Sequence, residues 1–208
     1  AWVKCFFNTA LGPAPCSFDL ALRFLFPEMS EANCRRVFLF ITENIIMIFL
    51  ADFHIHSKYS YATSKTMDLQ ALATWGQLKG LTVMGTGDFT HPVWRKQLQE
   101  QLIPAEQGLF ALQSHLQMAV DEQVYGSCRG LQRFLLTAEI STIFRRNGKC
   151  YKTHSIIFAP SLHVADLISA KLATIGNVNY DGRPTLSLDV KDLLKIVLDA
   201  SPDCMLIP

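Results

Sequence analysis

The chain has no C-x-x-C pair. Its 6 cysteines, at positions 5, 16, 34, 128, 150 and 204, are scattered. That excludes a zinc ribbon or a disulfide scaffold and fits a reducing interior, so a cytoplasmic location is expected. The chain also lacks a surplus of charge. With 19 Lys and Arg against 18 Asp and Glu, the formal net charge is +1. No global basic field draws in nucleic acid, and any DNA contact must be local. A long apolar run is missing too. Residues 37–51 are apolar but broken by Thr42-Glu43-Asn44, short of the roughly 20 residues that a spanning helix needs. Arg35-Arg36 precede that run as they would a signal anchor, but no small-residue cleavage site follows, and no membrane partner is expected. Histidine is absent from residues 1–46, although the chain has 6.

What is present is a chain of 208 residues, half of them hydrophobic. That suffices for one good-sized domain, or a domain with an appendage. Residues 1–46 read differently from the rest: Gly12-Pro13-Ala14-Pro15 and Phe26-Pro27-Glu28 break any periodicity. They are expected to be an ill-ordered extension, with Met47 suited to a start residue. The domain is expected over residues 47–208.

Strand and helix patterns alternate there. Residues 45–53 read as a first buried strand and 57–65 as a polar, aromatic loop. Thr66 is the expected N-cap of a helix carrying Met67, Leu69, Leu72, Trp75 and Leu78, stopped by Gly80. A short strand over 81–85 leads to the loop Thr86-Gly87-Asp88-Phe89-Thr90-His91, and Pro92 opens a helix to about residue 101. A helix is expected over 112–123, a strand over 133–144, a turn at Asn147-Gly148 and a returning strand over 151–158. Ser161 caps a helix closed near Gly176, residues 193–198 form another, and 204–207 one more strand. Repeated strand–helix units imply a parallel sheet, doubly wound or closed as a barrel. In both, ligands gather at the C-terminal ends of strands.

Polar residues fall where that rule places ligands. His54 and His56 follow the first strand, one residue apart, and alternate residues of a strand share a face. Asp88 and His91 follow the second strand. Glu139 lies in an apolar run, where an unpaired carboxylate is costly, and His154 lies in the returning strand. Each has a structural alternative. Glu139 pairs with Arg145 or a lysine, His154 is a satisfied core histidine, Asp88 shapes a turn, and His91 is a loop residue. His115 and His163 read as surface residues. Jointly the set suits zinc, manganese or iron, with a glutamate able to bridge two ions.

These residues resemble a known family. Asp52-Phe53-His54-Ile55-His56-Ser57, Gly87-Asp88, Glu139 and His154 resemble successive metal-binding motifs of the polymerase and histidinol phosphatase (PHP) superfamily. The stretches ADFHIHSKYSYATSK, LKGLTVMGTGDFTHPVW, LIPAEQGL, LLTAEISTIF, HSIIFAP and GNVNYDGRPTLSLD are similar to the N-terminal PHP domain of endonuclease Q. The resemblance covers residues 47–208, and residues 1–46 have no counterpart in it. It implies an α/β fold, a distorted β/α barrel of PHP type truncated at the C-terminus. Further ligands would lie beyond Pro208, leaving the barrel unclosed and the site incomplete.

The resemblance also implies a DNA repair endonuclease that hydrolyses the phosphodiester 5′ to deaminated bases (uracil, hypoxanthine) or abasic sites with metal-activated water. The cofactors would be two or three divalent ions, zinc first, with manganese or magnesium as alternatives. His54 and His56 would hold one ion, Glu139 would bridge, and His154 would bind the second. Asp88 and His91 would serve a further metal or orient the nucleophile, and Asp52 would support a histidine. Lys58, Tyr59, Tyr61 and Lys65 follow the ligand pair and are placed to contact DNA. Arg145, Arg146, Lys149 and Lys152 form the dense basic cluster, which reads equally as a phosphate site or as a solvated turn. The partner would be lesion-bearing DNA, with contact to replication or repair proteins. Another PHP phosphoesterase acting on small phosphomonoesters, or a catalytically incomplete DNA-binding fragment, are the alternatives.

Overall fold

The computed structural model describes residues 3–7, 47–61 and 63–208. Two compact units divide the chain, one of Ala1–Val3 with Leu50–Pro208 and the other of Lys4–Phe49. Expectations for residues 8–46 lie outside the described residues; within 1–46 only a strand, β1 (Val3–Phe7), is described.

The larger unit is a mixed α/β fold, a curled half-barrel sheet with five α-helices among the described residues. Its strands are the end of β2 (Met47–Asp52) from Leu50 onward, β3 (Val83–Gly85), β4 (Leu102–Pro104), β5 (Phe110–Leu112), β6 (Arg133–Arg146), β7 (Lys149–Ala159), β8 (Thr185–Leu186) and β9 (Met205–Ile207). The helices are α1 (Leu69–Leu78), α2 (Pro92–Gln101), α3 (Ser114–Gln123), α4 (Leu162–Ala173) and α5 (Val190–Ala200). None of the described helices is long and apolar enough to cross a membrane.

Several starts and stops follow local chemistry. Pro92 opens α2, and Ser161 caps α4 by accepting from Val164 N–H. Asn147 and Gly148, at φ 51° and 75°, make the tight turn between β6 and β7. Other boundaries move. The N-cap of α1 is Asp68, which accepts from Ala71 N–H, and not Thr66. β2 ends at Asp52, short of the expected residue 53. β4 and β5 form an antiparallel pair in a stretch with no clear sequence pattern.

The expected parallel sheet holds only in part, while the hairpin expected at Asn147-Gly148 is formed by β6 and β7. β2, β3 and β6 run parallel, as do β6 and β8, but β4–β5, β5–β6, β6–β7 and β7–β9 are antiparallel. The cause is the length of β6. Its 14 residues reach past β3 and receive the returning β7 along 11 pairs. Backbone groups of alternate residues point to the same edge of a strand. Leu135 and Thr137 carbonyls accept from Thr86 and Phe89, and Ser141 N–H donates to Pro184, so β3 and β8 meet the same edge. The side chains divide in the same way. Phe134, Leu136, Ala138 and Ile140 enter the hydrophobic core, while Thr137, Glu139 and Ser141 are buried on the other face. β6 therefore carries one polar row among buried surroundings, and Glu139 is in it.

Candidate metal centre

The centre is assembled from the segment after β2, the loop after β3, and the middle of β6 and β7. His54 and His56 lie beyond the end of β2, yet their rings meet edge to face at 5.6 Å and both Nε2 atoms approach one oxygen. Glu139 Oε2 is 3.2 Å from His54 Nε2 and 3.0 Å from His56 Nε2. The other carboxylate oxygen, Oε1, is 2.5 Å from His154 Nδ1. In the β6–β7 register Ser141 stands opposite His154, so the histidine side chain is on the same face as Glu139. Glu139 is 4% exposed, whereas the His54 side chain is 45% exposed. The group therefore opens to solvent on the His54 side and is closed behind the carboxylate.

The donor set fits a divalent cation. The ligand atoms of His54, His56 and Glu139 all lie within 4.8 Å of one another. Ligand bonds of about 2.1 Å at near-tetrahedral or octahedral angles separate neighbouring donors by roughly 3.0–3.4 Å. The two His–Glu separations, 3.2 and 3.0 Å, fall in that range.

Asp88 stands behind His56 rather than beside the three donors. Its carboxylate is fully buried, and four donors converge on it. Oδ1 is 3.0 Å from His56 Nδ1. Oδ2 accepts from Ser57 N–H at 2.6 Å, Ser57 Oγ at 2.7 Å and Ser60 Oγ at 2.9 Å. The loop is held in turn by Trp94, whose Nε1 donates to the Gly87 carbonyl at 2.8 Å. Gly87 has φ 63°, and a Cβ there would stand 2.3 Å from the Ile55 carbonyl oxygen. Asp88 follows at φ 51°, a left-handed conformation that Asp tolerates better than most residues.

This arrangement tunes the imidazoles. Hydrogen bonding to Asp88 is the largest influence on His56 and raises its pKa. Burial opposes this, and the charges of Asp88 and Glu139 add to the rise. For Glu139, burial is the largest influence and pushes upward. Hydrogen bonds with His154 and His54, with the charges of Arg183 and His56, outweigh it and leave the pKa lowered. With Nδ1–H directed at Asp88, the His56 Nε2 lone pair would be the one available to a cation, the usual support for a ligating histidine.

His91 is not brought to the group. Its Nδ1 caps α2, accepting from Trp94 N–H, and its Nε2–H donates to the Asn179 carbonyl at 3.1 Å. Its ring stacks on Tyr59 at 4.6 Å. Asp52 Oδ1 accepts from the backbone N–H of His54, not from an imidazole. Among the residues singled out for DNA contact, Tyr59 is half-buried in that stack and its hydroxyl accepts from Gln97. Tyr61 is 80% exposed. Lys58 Nζ lies 5.7 Å over the Tyr59 ring, and Lys65 Nζ donates to the Lys58 carbonyl at 3.4 Å. Arg145 is exposed. Arg146 bonds Asp189 at 2.7 Å and lies over the Phe144 ring.

Three neighbours were not singled out from the sequence. Ser57 and Ser60 build the Asp88 cradle, and Arg183 Nη1 lies 3.6 Å from Glu139 Oε2. The serines are adjacent to the histidine pair and were legible as a local cluster. Arg183 lies in the stretch GNVNYDGRPTLSLD that carries the family resemblance, but nothing in the sequence gave it a role at this centre.

No protein-family model matches the chain. An uncharacterised protein of Methanocaldococcus jannaschii is 29% identical over 154 residues, 74% of this chain and 15% of the relative. The crystal structure of the lesion-specific endonuclease PfuEndoQ from Pyrococcus furiosus superposes with a TM-score of 0.58 at 28% identity. A crystal structure of endonuclease Q with a 27-mer duplex substrate, an abasic lesion at its active site, matches with the same score at 29% identity. Each match covers 77% of this chain and 34% of the solved one, so the chain spans about a third of those structures. Over the matched part the chain is endonuclease Q-like.

Proposed function

We propose that residues 47–208 form the PHP-type, metal-binding part of a DNA repair endonuclease. The observation that carries this reading is the Glu139 carboxylate, with two imidazole nitrogens at one oxygen and a third at the other. A carboxylate flanked on both oxygens by ligand-type nitrogens is what a bridge between two cations requires. In this reading His54, His56 and Glu139 would hold one ion, and Glu139 with His154 a second. Such divalent ions, zinc before manganese or magnesium, would supply Lewis acidity toward water and a phosphodiester.

The chain's own residues divide the remaining work. Asp88 fixes the His56 ring and the nitrogen it presents, and Ser57 and Ser60 hold Asp88. His91 stabilises the loop edge from outside the centre. Tyr61 is exposed beside the centre and suited to stack on a base, whereas Tyr59 already stacks on His91. The substrate in this reading is duplex DNA with an abasic site or a deaminated base, cut on its 5′ side. The similarity to a lesion-specific endonuclease, and to one holding an abasic duplex, supports a lesion-bearing duplex as the substrate.

The test is incubation of the chain with duplexes carrying one abasic site, one uracil or one hypoxanthine, with and without a chelator. Nicking 5′ to the lesion, lost with chelator and restored by zinc or manganese, is the result that supports the reading. Release of phosphate from small phosphomonoesters without nicking would instead assign the centre to a phosphatase.

A further inference from the structure

Arg183 lies at the open side of the centre. Its side chain is 41% exposed, and its Nη1 is 3.6 Å from Glu139 Oε2, too long for a hydrogen bond. Three other arginines of the unit are engaged more closely: Arg95 with Asp166 at 2.7 Å, Arg146 with Asp189 at 2.7 Å, and Arg133 through two hydrogen bonds to Glu106. Among the described residues the Arg183 guanidinium makes no hydrogen bond, only this long ion pair.

The segment that bears it is nonetheless firmly held. The Asn179 carbonyl accepts from His91 Nε2–H, Asp181 Oδ1 accepts from Tyr61 N–H at 3.0 Å, and Gly182 N–H donates to the Tyr59 carbonyl at 3.1 Å. Arg183 N–H donates to Asp181 Oδ1 at 3.1 Å, and the next carbonyl, of Pro184, accepts from Ser141 N–H two positions along β6 from Glu139. A backbone fixed on both sides thus carries a guanidinium with unspent donors to the rim. A cation bound at Glu139 takes up the carboxylate charge that now attracts Arg183. The arginine is then left beside a positive centre, with donors free for an anion from solvent. The planar fork of a guanidinium matches phosphate oxygens.

We propose that Arg183 is a substrate-binding residue of this centre, its guanidinium donating to a non-bridging oxygen of the phosphodiester held at the His54, His56 and Glu139 group. The inference rests on the hydrolytic reading above and adds to it a residue outside the ligand set. It gives the site an anion contact that the net charge of the chain does not supply.

The test uses the chain loaded with stoichiometric zinc, and inorganic phosphate as the probe, in titration calorimetry. Metal content and thermal midpoint are measured on each variant. Arg183→Gln is expected to bind zinc as the parent does and to lose tenfold or more in phosphate affinity. Arg183→Lys, which keeps the charge but not the fork, is expected to fall between. An unchanged phosphate affinity in Arg183→Gln overturns the proposal. So does absence of phosphate binding by the parent, or loss of zinc from Arg183→Gln, which would place the arginine in the support of the metal group. The nuclease reading is judged separately: failure of the parent to nick lesion DNA rejects that reading, while phosphate binding lost with Arg183 would still assign the arginine.

Discussion

Asp88 has no exposed surface, yet it decides which His56 nitrogen is available to a ligand. Replacing it with Asn keeps the size but removes the charge that favours Nδ1–H and places an amide among four donors. Support of this kind is worth about 10–100-fold in metal affinity. Asp88→Asn is therefore expected to weaken zinc binding by that factor in competition titrations with a chelating dye. His91 makes the second residue-scale prediction. Burial is the main cause of its lowered pKa, only partly offset by the Asn179 carbonyl. Its neutral form already satisfies both nitrogens, and a proton on Nδ1 would face the Trp94 N–H. The unfolded chain takes up this proton first, near the ordinary histidine value. The stability contribution is thus intact above about pH 6.5 and declines as pH falls toward the folded-state pKa. Because the raised pKa of His56 acts in the opposite sense, the His91 contribution is read as a difference: between pH 7.5 and 5 the urea midpoint of the parent should shift downward relative to that of His91→Asn, which retains a capping oxygen.

At the scale of elements, the loop over 177–184 closes on the loop after β3 with no spare volume. A Cβ on Gly182 would lie 2.3 Å from Asp88 Oδ2 and 2.4 Å from Ser60 Oγ. Gly182→Ala must push the carboxylate or the loop aside. It is expected to cost about 1–3 kcal/mol in chemical denaturation and to lower zinc affinity in the same direction as Asp88→Asn. The β6–β7 hairpin divides its basic residues between two faces. Glu139, Ser141 and His154 share a face with Ile143, Lys152 and Arg145, because Ile143 pairs with Lys152 and Arg145 with Cys150. Arg146 and Lys149 are on the opposite face, where Arg146 is tied to Asp189. If the hairpin touches DNA that lies over the centre, Arg145→Gln with Lys152→Gln should lower the slope of log affinity against log salt by roughly 0.9 for each lost phosphate contact. Arg146→Gln should leave it nearly unchanged. Fluorescence anisotropy at several salt concentrations measures both.

At the scale of the molecule, a cation that binds the folded unit and not the unfolded chain must stabilise it. At 100 times the dissociation constant the gain is about 2.7 kcal/mol. Zinc should raise the thermal midpoint and a chelator should reverse the rise. His54→Ala, His56→Ala or Glu139→Gln should abolish the response, while Trp75→Ala, on the exposed side of α1, should preserve it.

Much of this arrangement was legible one segment at a time. The polar row through Glu139 appears in the alternation Leu136-Thr137-Ala138-Glu139-Ile140-Ser141, since period two places a strand's faces in the sequence itself. Pro92, Ser161 and Asn147-Gly148 mark boundaries because their backbone preferences act locally. The His54–His56 pair, and the family motifs spaced after it, directed attention to Glu139 and His154 for the same reason: they are short-range patterns. Sequence signalled the antiparallel return of β7 through Asn147-Gly148, but could not show the β7–β9 pairing, because strand order depends on which distant segments pair. Nor could it separate Asp88 from the ligands, since a carboxylate's role depends on the donors around it in space. The same limit applies to Arg183, whose nearest charged partner, Glu139, is brought to it by the β6–β8 pairing. Residue types and local periodicity determined which groups exist and on which strand face they lie. Only tertiary structure decided which oxygen meets which nitrogen, because hydrogen bonds and charge interactions depend on ångström-scale distances between segments far apart in the chain.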